Sequence, residues 1–182
     1  MVPVYSVTSI TFFRRAANHK TGRIWEGEAP SIRILIDADG CPVVELAVAA
    51  AREHSLECVI LCDTAHQFDK PGATTLTFSK GADSVDFALV NLLRAGDIVI
   101  TQAYGLAAMC LARRARVLSQ DGMEYGEENI DGLLLARHTA KKIRKAGGRL
   151  KGPCRRTPGQ DAAFDRALRG MLAKIGRGEE TR

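Results

Sequence analysis

The chain has 182 residues with 46% hydrophobic and 26% charged side chains, ordinary values for a soluble globular fold and long enough to bury a core without a disulfide or metal staple. No apolar run approaches the ~20 residues of a membrane-spanning helix, and only 5% of residues are aromatic, which argues against an extended stacking platform for single strands. The net charge of +5 hides an asymmetry: residues 31–136 carry eight basic and fifteen acidic side chains, residues 137–182 fourteen basic and four acidic. An acidic body suits a cation and a basic C-terminal quarter suits a polyanion.

Residues 1–30 do not share the pattern of the rest. Their apolar-leaning stretch, Val2 to Phe13, precedes Arg14 and Arg15 and is broken by polar residues, the reverse of a secretory signal. They read as a poorly ordered extension, with an Arg-rich transit peptide as the alternative. From Ile32 strand and helix alternate. Ile32–Ile36 is a short apolar run ending at Asp37, a buried strand. Pro42 suits the first turn of the helix Val43–His54. Glu57–Cys62 is a second strand, with Cys58 and Cys62 as small core residues.

A polar loop closed by Pro71-Gly72 leads to the β-branched third strand, Thr74–Phe78. The spacing of Val85, Ala88, Leu89, Leu92 and Leu93 predicts a helix over Ala82–Arg94. Ile98–Thr101 and Arg116–Ser119 are the fourth and fifth strands, separated by a helix at Tyr104–Arg113. Asp121-Gly122 is a turn. A basic helix, Asn129–Lys145, a Gly/Pro/basic linker, Gly147–Pro158, and a last helix, Gln160–Ile175, complete the domain, leaving 176–182 as a disordered tail. The five cysteines form no Cys-x-x-Cys pair, so the chain reads as reduced and cytoplasmic. The alternation predicts one α/β domain over residues 31–175, with a central parallel sheet of about five strands flanked by helices.

In such sheets ligands bind beyond the carboxyl ends of the strands. After the first strand come Asp37-Ala38-Asp39-Gly40-Cys41-Pro42. Two carboxylates so close repel and need a shared proton or a hard cation. Asp39 also fits a helix cap. After the third strand, Asp83 and Asp86 stand three apart on one helical face, where acidic residues also complement the helix dipole. Asp97 precedes its strand and belongs at the opposite edge of the sheet. Asp37-x-Asp39 is similar to the nucleophile motif of haloacid-dehalogenase-type phosphatases, an alternative reading. The Lys and acidic pair of that chemistry would have to be Lys80, Asp83 and Asp86, which are too close together. A Cys41 nucleophile in a Cys-x5-Arg loop fails because position 47 is Ala47.

Three ordered motifs carry a resemblance. They are Ile36-Asp37-Ala38-Asp39-Gly40-Cys41-Pro42-Val43, Gly81-Ala82-Asp83-Ser84-Val85-Asp86, and Gly96-Asp97-Ile98-Val99-Ile100-Thr101-Gln102 followed by Tyr104-Gly105-Leu106-Ala107-Ala108. Together with Arg137-His138 and Gly152-Pro153, they resemble the YaiI/YqxD family of bacterial proteins over residues 32–172. The family is grouped with PIN-like domains, Mg2+- or Mn2+-dependent ribonucleases with a compact parallel sheet and an acidic cluster. The resemblance therefore implies a three-layer PIN-like fold and a metal-dependent phosphodiesterase. Asp37, Asp39, Asp83 and Asp86 would be catalytic, with Mg2+ or Mn2+ on Asp37, Asp39 and Asp86. The family pattern has Asp at the third position of Thr-x-Asp after the fourth strand, where this chain has Ala103. That departure favours the alternative of a nucleic-acid-binding module of the same fold without activity.

RNA or another polyanion is the expected partner, and no membrane. Its surface is Arg137–Arg156, which holds Arg137, Lys141, Lys142, Arg144, Lys145, Arg149, Lys151, Arg155 and Arg156 and no acidic residue. A merely solvating helix face would interleave Glu or Asp to reduce self-repulsion.

Overall fold

The computed structural model describes residues 4–5, 32–65, 69–79, 84–149, 152 and 155–179. A seven-stranded sheet carries the fold. Its strands are β1 (Val4–Tyr5), β2 (Arg33–Asp37), β3 (Glu57–Asp63), β4 (Thr74–Phe78), β5 (Ile98–Ile100), β6 (Arg116–Leu118) and β7 (Glu124–Tyr125). The helices are α1 (Val44–Glu53), α2 (Ser84–Leu92), α3 (Tyr104–Ala112), α4 (Glu127–Lys145) and α5 (Pro158–Gly176). The strand order is β1-β4-β3-β2-β5-β6-β7, parallel except for the β6–β7 hairpin. This is the three-layer α/β architecture expected of a PIN-like fold.

The apolar runs of β2, β3 and β5 are buried on both faces, as parallel strands under two helical layers must be. Alternation then sorts the side chains. Ile34, Ile36, Cys58, Ile60 and Cys62 pack with Ala47 and Val48 of α1 and Phe164 and Leu168 of α5. Leu35, Val59, Leu61 and Val99 face Ala88 and Leu89 of α2, Leu106, Ala107 and Cys110 of α3, and Ile130 of α4. Cys58 and Cys62 are core residues, as the sequence predicts.

Several elements differ from the sequence reading, among them the basic helix, which begins at Glu127 and not Asn129. The β6–β7 hairpin is unforeseen, because two residues carry no period. It closes at Asp121-Gly122, where Ser119 Oγ accepts from the Asp121 and Met123 amides. The last helix starts two residues earlier than Gln160, because Pro158 occupies its first turn and the Gln160 side chain accepts from the Thr157 amide at 2.9 Å. The structure is also described to Glu179, through a turn in which Arg177 pairs with Glu179. Of the expected N-terminal extension only Val4–Tyr5 is described, paired in parallel with Thr77 and Phe78. The rest of 1–30, the stretch Lys80–Asp83, Lys151 and residues 180–182 lie outside the described residues.

The chain lays β3 and β4 to one side of β2 and β5, β6 and β7 to the other. Strand order therefore reverses between β2 and β5, and the carboxyl ends of these two strands open the crevice where ligands bind in sheets of this kind. At the opposite edge, Arg33 and Asp97 form a buried ion pair, each 2% exposed. Asp97 Oδ1 accepts from the Arg33 backbone amide and Nε, and Oδ2 accepts from Arg33 Nη2 at 2.6 Å and the Arg94 amide at 2.8 Å. A buried pair is tolerated only when its hydrogen bonds are satisfied, as these are. Asp97 thus lies outside the acidic site, as its position before β5 requires.

Candidate functional site

Asp37 ends β2 at the switch point, on the side of the sheet covered by α2 and α3. The chain then turns sharply: the Cys41 amide donates to the Ala38 carbonyl at 3.1 Å, and Gly40 at the third position adopts φ +72°, a conformation that glycine adopts without strain. This turn sets Asp39 beside the end of β3, where its Oδ1 accepts from the Asp63 amide at 3.1 Å.

Across the crevice, Thr101 follows β5 and is 1% exposed. Its hydroxyl donates to Asp37 Oδ2 at 2.7 Å and accepts from the Ala103 amide at 3.0 Å. This chain of bonds spans the reversal in strand order and fixes the Asp37 carboxylate. Burial above all, joined by the negative charges of Asp86 and Asp39, pushes the Asp37 carboxyl up to about 6 against the hydrogen bonds from Thr101 and the Asp39 backbone. The Cys110 thiol on α3 also feels both Asp86 and Asp37. Asp37, Asp39 and Asp86 therefore share one electrostatic neighbourhood at the carboxyl edge. Asp83, their predicted companion, lies outside the described residues.

The donor set is all-oxygen and self-repelling, which suits a hard divalent cation in chemical type. Among the described residues, however, no three His, Cys, Asp or Glu side chains are grouped closely enough to hold one. Ala103 is the N-cap of α3 and offers no side-chain acceptor. An Asp there would cap the helix and extend the acidic site together. Cys41 is ill suited to act as a nucleophile: burial pushes its thiol up to about 11, despite the nearby Arg156.

The basic segment divides in two. Lys141, Lys142, Arg144, Lys145 and Arg149 are exposed on the second half of α4 and the turn after it, and Arg137 is exposed at its middle. Arg155 is also exposed, but Arg156 is held down. Its Nε donates to Asp161 at 2.6 Å, Nη1 to Asp121 at 2.8 Å and Nη2 to the Gln120 carbonyl at 2.8 Å. Gln160 also donates to Asp121. Gln120 in turn meets Gln102 after β5. Arg156 therefore ties the start of α5 to the turn after β6, and Asp121 is more than a turn residue. No local signal pairs Arg156 with Asp121, since 35 residues separate them. Thr101 likewise gave no hint of its bond to Asp37, 64 positions away.

A sequence model described as "Uncharacterized BCR, YaiI/YqxD family" matches residues 35–174. The chain belongs to the YaiI/YqxD family. The chain is 50% identical over 143 residues to a UPF0178 protein of Exiguobacterium sibiricum, covering 79% of this chain and 98% of the relative. A UPF0178 protein of Ruminiclostridium cellulolyticum is 43% identical, over 75% of this chain and 90% of the relative. One of Clostridium acetobutylicum is 41% identical, over 79% and 98%. No solved structure matches the chain significantly. Among the described residues no helix is long and apolar enough to cross a membrane.

Proposed function

We propose that this YaiI/YqxD-family chain is a metal-dependent phosphodiesterase acting on RNA, in which Mg2+ or Mn2+ would draw Asp37, Asp39 and Asp86 together from the wider spacing they have here. The observation that carries the reading is Asp37: a half-buried carboxylate at the switch point, fixed by Thr101 and pushed up to about 6 by partial burial and by two neighbouring carboxylates. Burying like charges together costs stability, and functional sites are where such arrangements concentrate. A divalent cation bound there supplies an activated water and neutralises charge on a phosphate. Thr101 holds the Asp37 carboxylate in one orientation, and the exposed, acid-free second half of α4 attracts the nucleic-acid backbone.

A second reading, a nucleic-acid-binding module without turnover, is favoured by Ala103 at the cap of α3, where the family pattern has a carboxylate. Incubation of a labelled single-stranded RNA with Mn2+, comparing the protein with Asp37→Asn, separates the two. Cleavage that depends on both Mn2+ and Asp37 supports the first. Binding with no cleavage by either protein supports the second. Release of phosphate from small monoesters without RNA cleavage would favour a phosphatase.

A further inference from the structure

Tyr104 opens α3 immediately after Ala103, so it stands at the carboxyl edge of the sheet next to the Thr101–Asp37 bond. Its ring meets the edge of Tyr125, which lies 3% exposed in β7, at 6.0 Å between centroids and 66° between planes. That packing holds Tyr104 in place. From α4, the exposed Arg137 brings its guanidinium carbon over the Tyr104 ring, 6.0 Å from the centroid. Arg137 forms no ion pair or hydrogen bond with any described residue. Among the described residues the guanidinium thus meets one tyrosine ring, and its N–H groups are uncommitted on an exposed side chain. It is also the first residue of the acid-free basic run.

We infer that Arg137 and Tyr104 form a stacking site for one unpaired nucleobase of a single-stranded nucleic acid, positioned beside Asp37. The inference rests on the nucleic-acid reading above and adds to it a requirement for an unpaired base. A planar guanidinium stacks on a base as an ammonium cannot, and the ring beneath it limits its freedom. Bases in a duplex are covered on both faces, so only a single strand, loop or end can use the site. From Arg137, Lys141, Arg144 and Lys145 continue along α4 at helical spacing and can follow the adjoining phosphates. The low aromatic content agrees with a site for one base and not a track: two of the three tyrosines in the chain meet here.

The test is fluorescence anisotropy with a short oligouridylate and an abasic phosphodiester strand of the same length. The two present the same phosphates, and only one has bases. The wild-type protein should prefer the oligouridylate by roughly 5- to 150-fold, the range of a single stacked base. Arg137→Lys keeps the charge, sits at an exposed position and should remove most of that preference while leaving the salt dependence of binding unchanged. Tyr104→Phe keeps the ring and should retain the preference. Equal affinity of the wild-type protein for both strands overturns the stacking site and leaves polyanion binding intact. So does an undiminished preference in Arg137→Lys. Failure to bind either strand removes the stacking site and the nucleic-acid reading together.

Discussion

Replacing Asp37 by Asn should make the protein more stable at neutral pH. The folded protein holds this carboxyl at about 6 against an ordinary 3.8, chiefly through burial, with Asp86 and Asp39 adding to it. A folded-state value above the unfolded one means that folding favours the protonated form. The cost of ionisation is therefore absent below about pH 4, grows as pH rises, and is complete above about pH 6. At 1.36 kcal/mol per tenfold change the full cost is about 3 kcal/mol. Partial access to solvent reduces this, and about 2 kcal/mol is the expected gain for Asn at neutral pH. Asn keeps an acceptor for Thr101 Oγ1 but gives up one carboxylate oxygen, and the weakened bond from the Asp39 backbone amide, which also donates to this carboxylate, is part of that reduction. In a domain of this size the gain corresponds to a melting temperature higher by roughly 4–8 °C. Thermal melts followed by circular dichroism across the pH range, in chelator, measure it. The gap between variant and wild type should close steadily as pH falls from about 6 toward 4. A variant less stable than wild type at neutral pH, or a gap that does not change with pH, would refute the electrostatic account of this site.

Four further outcomes follow from the same geometry. Ala103→Asp should add a helix cap to α3 worth about 1 kcal/mol, partly offset by repulsion from Asp37. Its melting temperature should therefore rise more on adding Mn2+ than that of wild type. Gly122→Ala should cost about 2–4 kcal/mol in denaturant melts, because φ is +84° and the new Cβ would lie 2.8 Å from the Ala163 carbonyl oxygen of α5. Asp97→Ala should cost about 3–5 kcal/mol by the same assay, since it strands the buried Arg33 charge. Cys41 should resist iodoacetamide at neutral pH, because burial keeps its thiol protonated; rapid alkylation of that residue in the folded protein would revive the nucleophile reading.

The parallel core was legible because each of its strands is a short apolar run ending where polar residues begin. Ile34 to Ile36 and Ile98 to Ile100 are buried on both faces, so neither could carry polar residues inside the run. The same logic located the acidic edge: Asp37 follows its strand and Asp97 precedes its own, and the fold sets them at opposite ends. What sequence could not show depends on long separations. Arg156 reads as one more positive charge in a basic run, yet three hydrogen bonds bind it to the β6 turn and to α5. Tyr104 reads as the first residue of a helix, and only the fold brings Tyr125 and Arg137 to its ring. The start of α5 was within reach, since Thr157-Pro158 followed by Gln160 is a helix-opening signature.

The central claim is that the carboxylates around Asp37 take up a divalent cation. Titration with Mn2+, with free metal counted by electron paramagnetic resonance, tests it without relying on turnover. Wild-type protein should bind Mn2+ near neutral pH. Binding should weaken as pH falls below about 6, where Asp37 takes up its proton, and Asp37→Asn should lose it at every pH. Wild-type protein that leaves all the Mn2+ free, or an Asp37→Asn variant that binds it equally well, would contradict the account.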